Sequence, residues 1–150
     1  MQENLHRRNR EEPVTILQKR LARIMTFSEP MSHSEPLLES LNLLKFNDII
    51  YSEILSFVYQ WFHKLIPSCF FEFFKPISSI HDYPTRQSVN ENLFIKSIRT
   101  TQYGIRSLHY TGSHLWNSLP NTIKQITPFS RFRKTIKKNF TDGYNNNIRS

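Results

Sequence analysis

From Val14 the chain spaces its apolar residues at a helical period. Val14, Leu17, Leu21, Ile24 and Met25 fall on one face, with Lys19, Arg20 and Arg23 around the rest, which predicts an amphipathic helix ending near Phe27. Ser34-Glu35-Pro36 then starts a short helical turn through Leu41, with Ser34 placed to cap and a proline tolerated in the first turn. Residues 47–65 form the longest predicted element, where Ile50, Ile54, Phe57, Val58, Trp61, Phe62 and Leu65 make an apolar arc over half the helix. So wide a stripe requires burial by several neighbours. Pro67 ends it, and residues 68–74 add a turn whose phenylalanines are expected to close one end of the core.

Beyond Pro76 the pattern loses its period, and the Ser, His, Asp, Tyr, Pro and Thr that follow read as an extended surface crossing. Residues 93–99 and 105–110 alternate in a β-friendly manner around Gly104, so a two-stranded antiparallel hairpin is expected there. Ser113 is placed to cap a short helix carrying Leu115, Trp116 and Leu119, which Pro120 terminates. The last helix has the clearest punctuation: Thr127 as cap, Pro128 as first residue and Gly143 just past the end. Phe129, Phe132, Ile136 and Phe140 recur along it, with Arg131, Lys134 and Lys138 opposite and Arg133 and Lys137 flanking. The expected architecture is a mainly α single domain over residues 14–143 with one small hairpin, between a flexible leader (1–13) and a flexible tail (144–150).

Charge changes this picture more than size does. Residues 1–82 carry nine Lys/Arg against ten Asp/Glu, whereas residues 83–150 carry eleven against only Glu91 and Asp142. A field concentrated in the rear half favours a polyanion, most simply the backbone of RNA or DNA, with a solvated basic surface as the plain alternative. Arg131, Arg133, Lys134, Lys137 and Lys138, together with Arg99 and Arg106, are the candidate phosphate contacts. Such contacts are blind to sequence and steep in salt. Tyr103 and Tyr110 are candidates for stacking on bases, or for packing.

Other chemistry finds little to work with. Two-metal phosphoryl chemistry needs clustered carboxylates, but no Asp-Asp pair occurs, and Asp48 reads as a first-turn charge on the long helix. His109 and His114 stand off the i, i+4 register, so neither a zinc site nor any cofactor is expected. Cys69 is the only cysteine and sits among Phe70, Phe71, Phe73 and Phe74, which reads as a small core residue in a reducing, nuclear or cytoplasmic setting. The greasiest stretch is interrupted by Glu53, Gln60, His63, Lys64 and Glu72, a buried-helix pattern that argues against contact with a membrane.

Five segments then stand in one order across residues 17–140: Leu17-Gln18-Lys19-Arg20 with Arg23-Ile24; His33-Ser34-Glu35-Pro36-Leu37 with residues 41–46; Tyr83-Pro84-Thr85-Arg86; Trp116-Asn117-Ser118-Leu119-Pro120; and Phe129-Ser130-Arg131-Phe132-Arg133-Lys134. Together they resemble the C-terminal, post-thumb region of the reverse transcriptase of non-LTR (LINE-type) retrotransposons, the RNA-directed DNA polymerase of a transposable element. The resemblance implies helical packing near the thumb, contact with template, primer or target DNA, and a second partner in the polymerase core of a related element. It also implies a structural motif role for Thr85, Arg86, Trp116, Asn117, Leu119 and Pro120. Residues 1–13 do not look like family sequence and no palm motif precedes the match. The expectation is therefore a truncated, non-catalytic fragment rather than an enzyme; the alternative is an inert remnant or a protein-interaction module.

Overall fold

In the computed structural model, residues 13–80, 90–97 and 107–146 are described, with side chains as far as Asp142. The fold is mainly α. Six α-helices occur among these residues: α1 (Pro13–Met25), α2 (Ser34–Ser40), α3 (Phe46–Phe62), α4 (Leu108–Ser118), α5 (Asn121–Lys124) and α6 (Phe129–Asn146). Two 3₁₀ turns, Ser68–Phe70 and Ile77–Ser79, lie between α3 and α4. The chain divides into two compact units, one reaching to Ile49 and resuming at Phe140, the other Ile50–Asn139.

In the first unit α1 packs on α2 through Ala22 and Leu38, both almost wholly buried. Gln18 ties the following segment down with both ends of its amide: Nε2 donates to the Leu44 carbonyl at 2.7 Å and Oε1 accepts from the Phe46 amide at 2.9 Å. The second bond satisfies one of the orphan donors at the start of α3. Asp48 lies in that first turn, where a negative charge suits the helix dipole. The apolar face read from the spacing of α1 does exist, but it faces solvent: Leu17, Leu21 and Ile24 are 54–69% exposed.

The second unit is built around α3, buried on Leu55, Val58, Tyr59 and Trp61. The Phe132 ring of α6 stacks on Tyr59 at 4.3 Å and lies 6.3 Å from Trp116 of α4. Tyr59 Oη donates to the Ile126 carbonyl, and burial pushes its phenol above the usual tyrosine range. Gly112 lets α4 come close to α3. A Cβ there would meet Val58 and Phe74 at 3.1 Å, tighter than ordinary contact. Its neighbour Ser113 is fully buried, and its Oγ has no hydrogen-bond partner among the described residues.

Several expectations change here. Leu108 to Tyr110, expected as the end of a hairpin strand, begin α4, capped by the Ser107 hydroxyl, which accepts from the Tyr110 amide. No strand occurs among the described residues, only an isolated antiparallel bridge between Pro76 and Leu93. Residues 98–106, the middle of that expected hairpin, and residues 81–89, the expected surface crossing, lie outside the described residues. Ser113 is therefore inside a helix rather than its cap, and Ser34 is the first residue of α2 rather than the residue before it. Cys69 is exposed, and Phe70, Phe71 and Phe73 are partly so; Phe74 alone of that cluster is buried. The turns at 68–74 nonetheless gather Phe70, Phe73 and Phe74 around the Phe57 ring of α3, at 5.9–6.2 Å.

Helix endings differ from expectation in a common way. α1, α2 and α3 all close with paired Schellman bonds: Ser28 to Arg23 with Phe27 to Ile24, Leu43 to Leu38 with Asn42 to Glu39, and Leu65 to Gln60 with Lys64 to Trp61. The motif requires a left-handed residue, and Phe27, Asn42 and Lys64 supply it at φ of 51°, 53° and 55°. Glycine, which adopts this backbone without strain, stands at none of the three. Gly143 lies inside α6, not beyond it, so the one glycine read as a stop is not one.

Phe27 combines this backbone with a ring that is 98% exposed. Phe27→Gly is expected to raise stability by about 0.5–1 kcal/mol, the relieved strain exceeding the extra chain entropy of glycine. Urea unfolding monitored by circular dichroism checks this. A loss of stability would show that the ring has a packing role in the folded chain.

Candidate nucleic-acid interface

The basic face is set by the apolar one. Phe132 and Ile136 are buried in the second unit, and the 100° step of a helix then forces Arg131, Lys134 and Lys138 to the opposite side. Arg131, Arg133, Lys134, Lys137 and Lys138 are all exposed. Asp142 is the only carboxylate on α6. The Arg133 guanidinium pairs with Glu53 of α3, both half exposed, and its carbon lies 5.9 Å from the centre of the Phe129 ring. An exposed pair of this kind contributes little stability, but it places a carboxylate against one of the five cations.

Arg99, Arg106 and Tyr103 lie outside the described residues, as do Thr85 and Arg86. The α6 face is therefore described without them. Tyr110 is half-buried at the start of α4, with its ring 6.0 Å from His114. No group of three His, Cys, Asp or Glu that could hold a metal occurs among the described residues. No described helix is long and apolar enough to cross a membrane.

The Trp116-Asn117-Ser118-Leu119-Pro120 stretch acts as a clasp on residues 90–93. Leu93 is fully buried and pairs with Pro76 through the bonds Ile77 to Asn92 and Phe94 to Lys75. In that arrangement Pro76 occupies a position where no ladder N–H is needed, which is why a proline is tolerated there. The N–H and C=O of Leu93 consequently point to the other edge, where no backbone group of the described residues meets them. Asn117 does: Oδ1 accepts from the Leu93 amide at 2.7 Å and Nδ2 donates to its carbonyl at 2.8 Å. One side-chain amide thus stands in for a neighbouring strand.

The rest of the motif serves the same segment. Trp116, fully buried, donates its indole N–H to the Glu91 carbonyl at 2.9 Å. Leu119 closes α4 by donating to the Trp116 carbonyl, and the carbonyl of Pro120 starts α5 by accepting from Ile123 and Lys124. α5 then contributes Lys124, whose Nζ donates to the Asn90 carbonyl and the Asn92 Oδ1 and lies 5.9 Å from the Trp116 ring. Lys124 is 1% exposed, and burial lowers its pKa, with Glu91 acting in the opposite sense. Nothing in the sequence marks this lysine out, because a single Lys in a four-residue turn has no periodicity to declare it buried. It is nevertheless one cation of the basic half that is unavailable to a polyanion.

His109 stacks on Phe74 at 5.6 Å with its ring 15° from parallel. Burial, and then Lys96, hold its pKa below the ordinary value of 6.5.

The chain matches no protein-family model, no curated protein and no solved structure.

The clasp and the histidine can each be tested by stability. Asn117→Asp replaces the Nδ2 donor with an oxygen facing the Leu93 carbonyl and is expected to cost about 1–3 kcal/mol; Trp116→Ala is expected to cost about 3–5 kcal/mol. Chemical denaturation measures both, and an unchanged Asn117→Asp midpoint would mean that the clasp is not made. For His109, the unfolded chain takes up a proton more readily than the folded one, so its contribution is fully present above pH 6.5 and is lost as pH falls through the lower folded value. The thermal midpoint of the chain should drop between pH 6.5 and 5 more steeply than that of His109→Phe, which keeps the ring contact but cannot titrate.

Proposed function

We propose that this chain is a non-catalytic accessory fragment of a retrotransposon RNA-directed DNA polymerase that binds RNA or DNA through the backbone, without regard to sequence. The observation that carries the binding is the exposure of five cations on one helix whose apolar side is locked into the core. Such a face holds its charges in a fixed line, so that phosphate binding does not have to order the helix first. The affiliation rests on the order of the five sequence segments. The clasp supports it by giving Trp116, Asn117, Leu119 and Pro120 a shared structural task, consistent with a motif that recurs for reasons of packing.

A second reading is favoured by α1. Its apolar side, with Phe27 and Met31 beyond it, is exposed, and contiguous apolar surface of this kind marks a site of protein contact. In this reading the chain is a protein-interaction module that packs on the polymerase core of a related element, or a remnant of one.

Filter binding to RNA and DNA across a salt series separates the two. Neutralising Lys134, Lys137 and Lys138 together as glutamines should flatten the log–log salt slope by about two to three units if all three meet phosphates. Glu53→Gln should act the other way, releasing Arg133 and steepening the slope by about 0.7 to 0.9 unit. Unchanged slopes in both variants would reject the α6 face, and salt-independent self-association without any polyanion response would favour the second reading.

A further inference from the structure

The second unit also contains a cleft of about 500 Å³ to which no residue of α6 contributes. Its walls are aromatic, from Trp61, Phe62, Phe71 and Phe74, and its charged groups are Lys64 and Glu91. The indole N–H of Trp61 is already spent on the Phe71 carbonyl at 3.1 Å. Polar recognition in the cleft therefore falls to the ammonium, the carboxylate and the Ser78 hydroxyl.

Lys64 and Glu91 have opposite charge yet form no ion pair with each other. The Glu91 carboxylate accepts no hydrogen bond from the described residues, although the Glu91 carbonyl is fixed by Trp116. The left-handed backbone of Lys64 belongs to the Schellman close of α3. Glu91 holds the same backbone at φ 52° outside any helix ending, and strain at non-glycine positions concentrates at binding sites.

A fitting ligand has a flat apolar body, one edge made of parallel N–H donors for a carboxylate, and an anionic group for the lysine. Guanine offers N1–H and N2–H₂ side by side to a carboxylate. Adenine and cytosine place an acceptor beside their amino donor, and uracil flanks its single N–H with two carbonyls that a carboxylate repels. Base–aromatic stacking supplies the remaining contact, and the nucleotide phosphate supplies the anion for Lys64.

We propose that this cleft takes an unpaired guanine nucleotide of a single strand, with the base among the aromatic rings, Glu91 on its Watson–Crick edge and Lys64 on its phosphate. The proposal rests on the nucleic-acid reading above and adds a base preference that the α6 face does not have. The direct test is quenching of tryptophan fluorescence in the full chain by mononucleotides, with Trp61→Phe as the control for the signal. GMP is expected to quench saturably, with IMP and AMP about tenfold weaker because neither offers both donors. Glu91→Gln should abolish that difference, whereas Lys64→Met should weaken all mononucleotides together.

Equal quenching by GMP, IMP and AMP, or none that saturates while the circular dichroism is unchanged, overturns the proposal. Filter binding of a uridine tract with and without one guanosine separates this failure from that of the α6 face. Tracts that bind with a steep salt slope but ignore the guanosine sink the cleft and leave the α6 face standing. Saturable GMP quenching without any tract binding sinks the α6 face and reduces the cleft to a mononucleotide site, overturning the strand-bound form proposed here.

Discussion

The packing of Phe132 between Tyr59 and Trp116 is the interaction on which the basic surface depends. A helix has no preferred rotation about its own axis until one side chain is held. Phe132 supplies that anchor, stacked at 4.3 Å on Tyr59, and Ile136 extends it by one turn. Once both are buried, the positions of Arg131, Lys134 and Lys138 are consequences of helical geometry rather than separate achievements of the fold. Charge alone could not have set this face. Exposed cations repel one another and gain little from any particular arrangement.

The anchor itself depends on backbone that is neither helix nor sheet. Residues 90–93 pass beside Trp116 with their N–H and C=O groups partly out of reach of water, and each unmet group would cost more than a typical hydrogen bond contributes. Asn117 and Lys124 meet three such demands between them, and the Trp116 indole meets a fourth at the Glu91 carbonyl. Gln18 solves the same problem in the first unit with the same chemistry, an amide that donates at one end and accepts at the other. Where the described residues run as neither helix nor strand, backbone groups must be satisfied by side chains. That requirement explains why amides, rather than further apolar residues, stand at positions 18 and 117.

The legible part of the fold is what periodicity can report. α1, α3 and α6 appear in the spacing of their apolar residues, and the wide stripe of α3 correctly implies several neighbours, which prove to be α4, α6 and Phe74. Short runs are less informative. Residues 105–110 alternate well enough for a strand, but the Ser107 cap and the close approach allowed by Gly112 commit the described part to helix. The clasp is visible only as a motif, since the partners of Trp116 and Asn117 lie about 25 residues away and no local pattern connects them. Lys64 and Glu91 carry no signal at all, because left-handed backbone is recognised in sequence by glycine and neither position has one.

The contrast between α1 and α6 shows where such reading must stop. Both helices carry a clean apolar face bordered by basic residues, and neither pattern is the stronger. Yet Phe132 of α6 is wholly buried, while Leu17 and Ile24 of α1 are more than 60% exposed. Periodicity states which side of a helix is apolar; it says nothing of whether the chain owns a surface to cover it. For α6 that surface is the α3 and α4 aromatic cluster. For α1 the described residues provide α2 on one flank, through Ala22, and leave Leu17, Leu21 and Ile24 exposed. Leaving several large apolar side chains in water forgoes about 1.5–3 kcal/mol for each that burial would have covered.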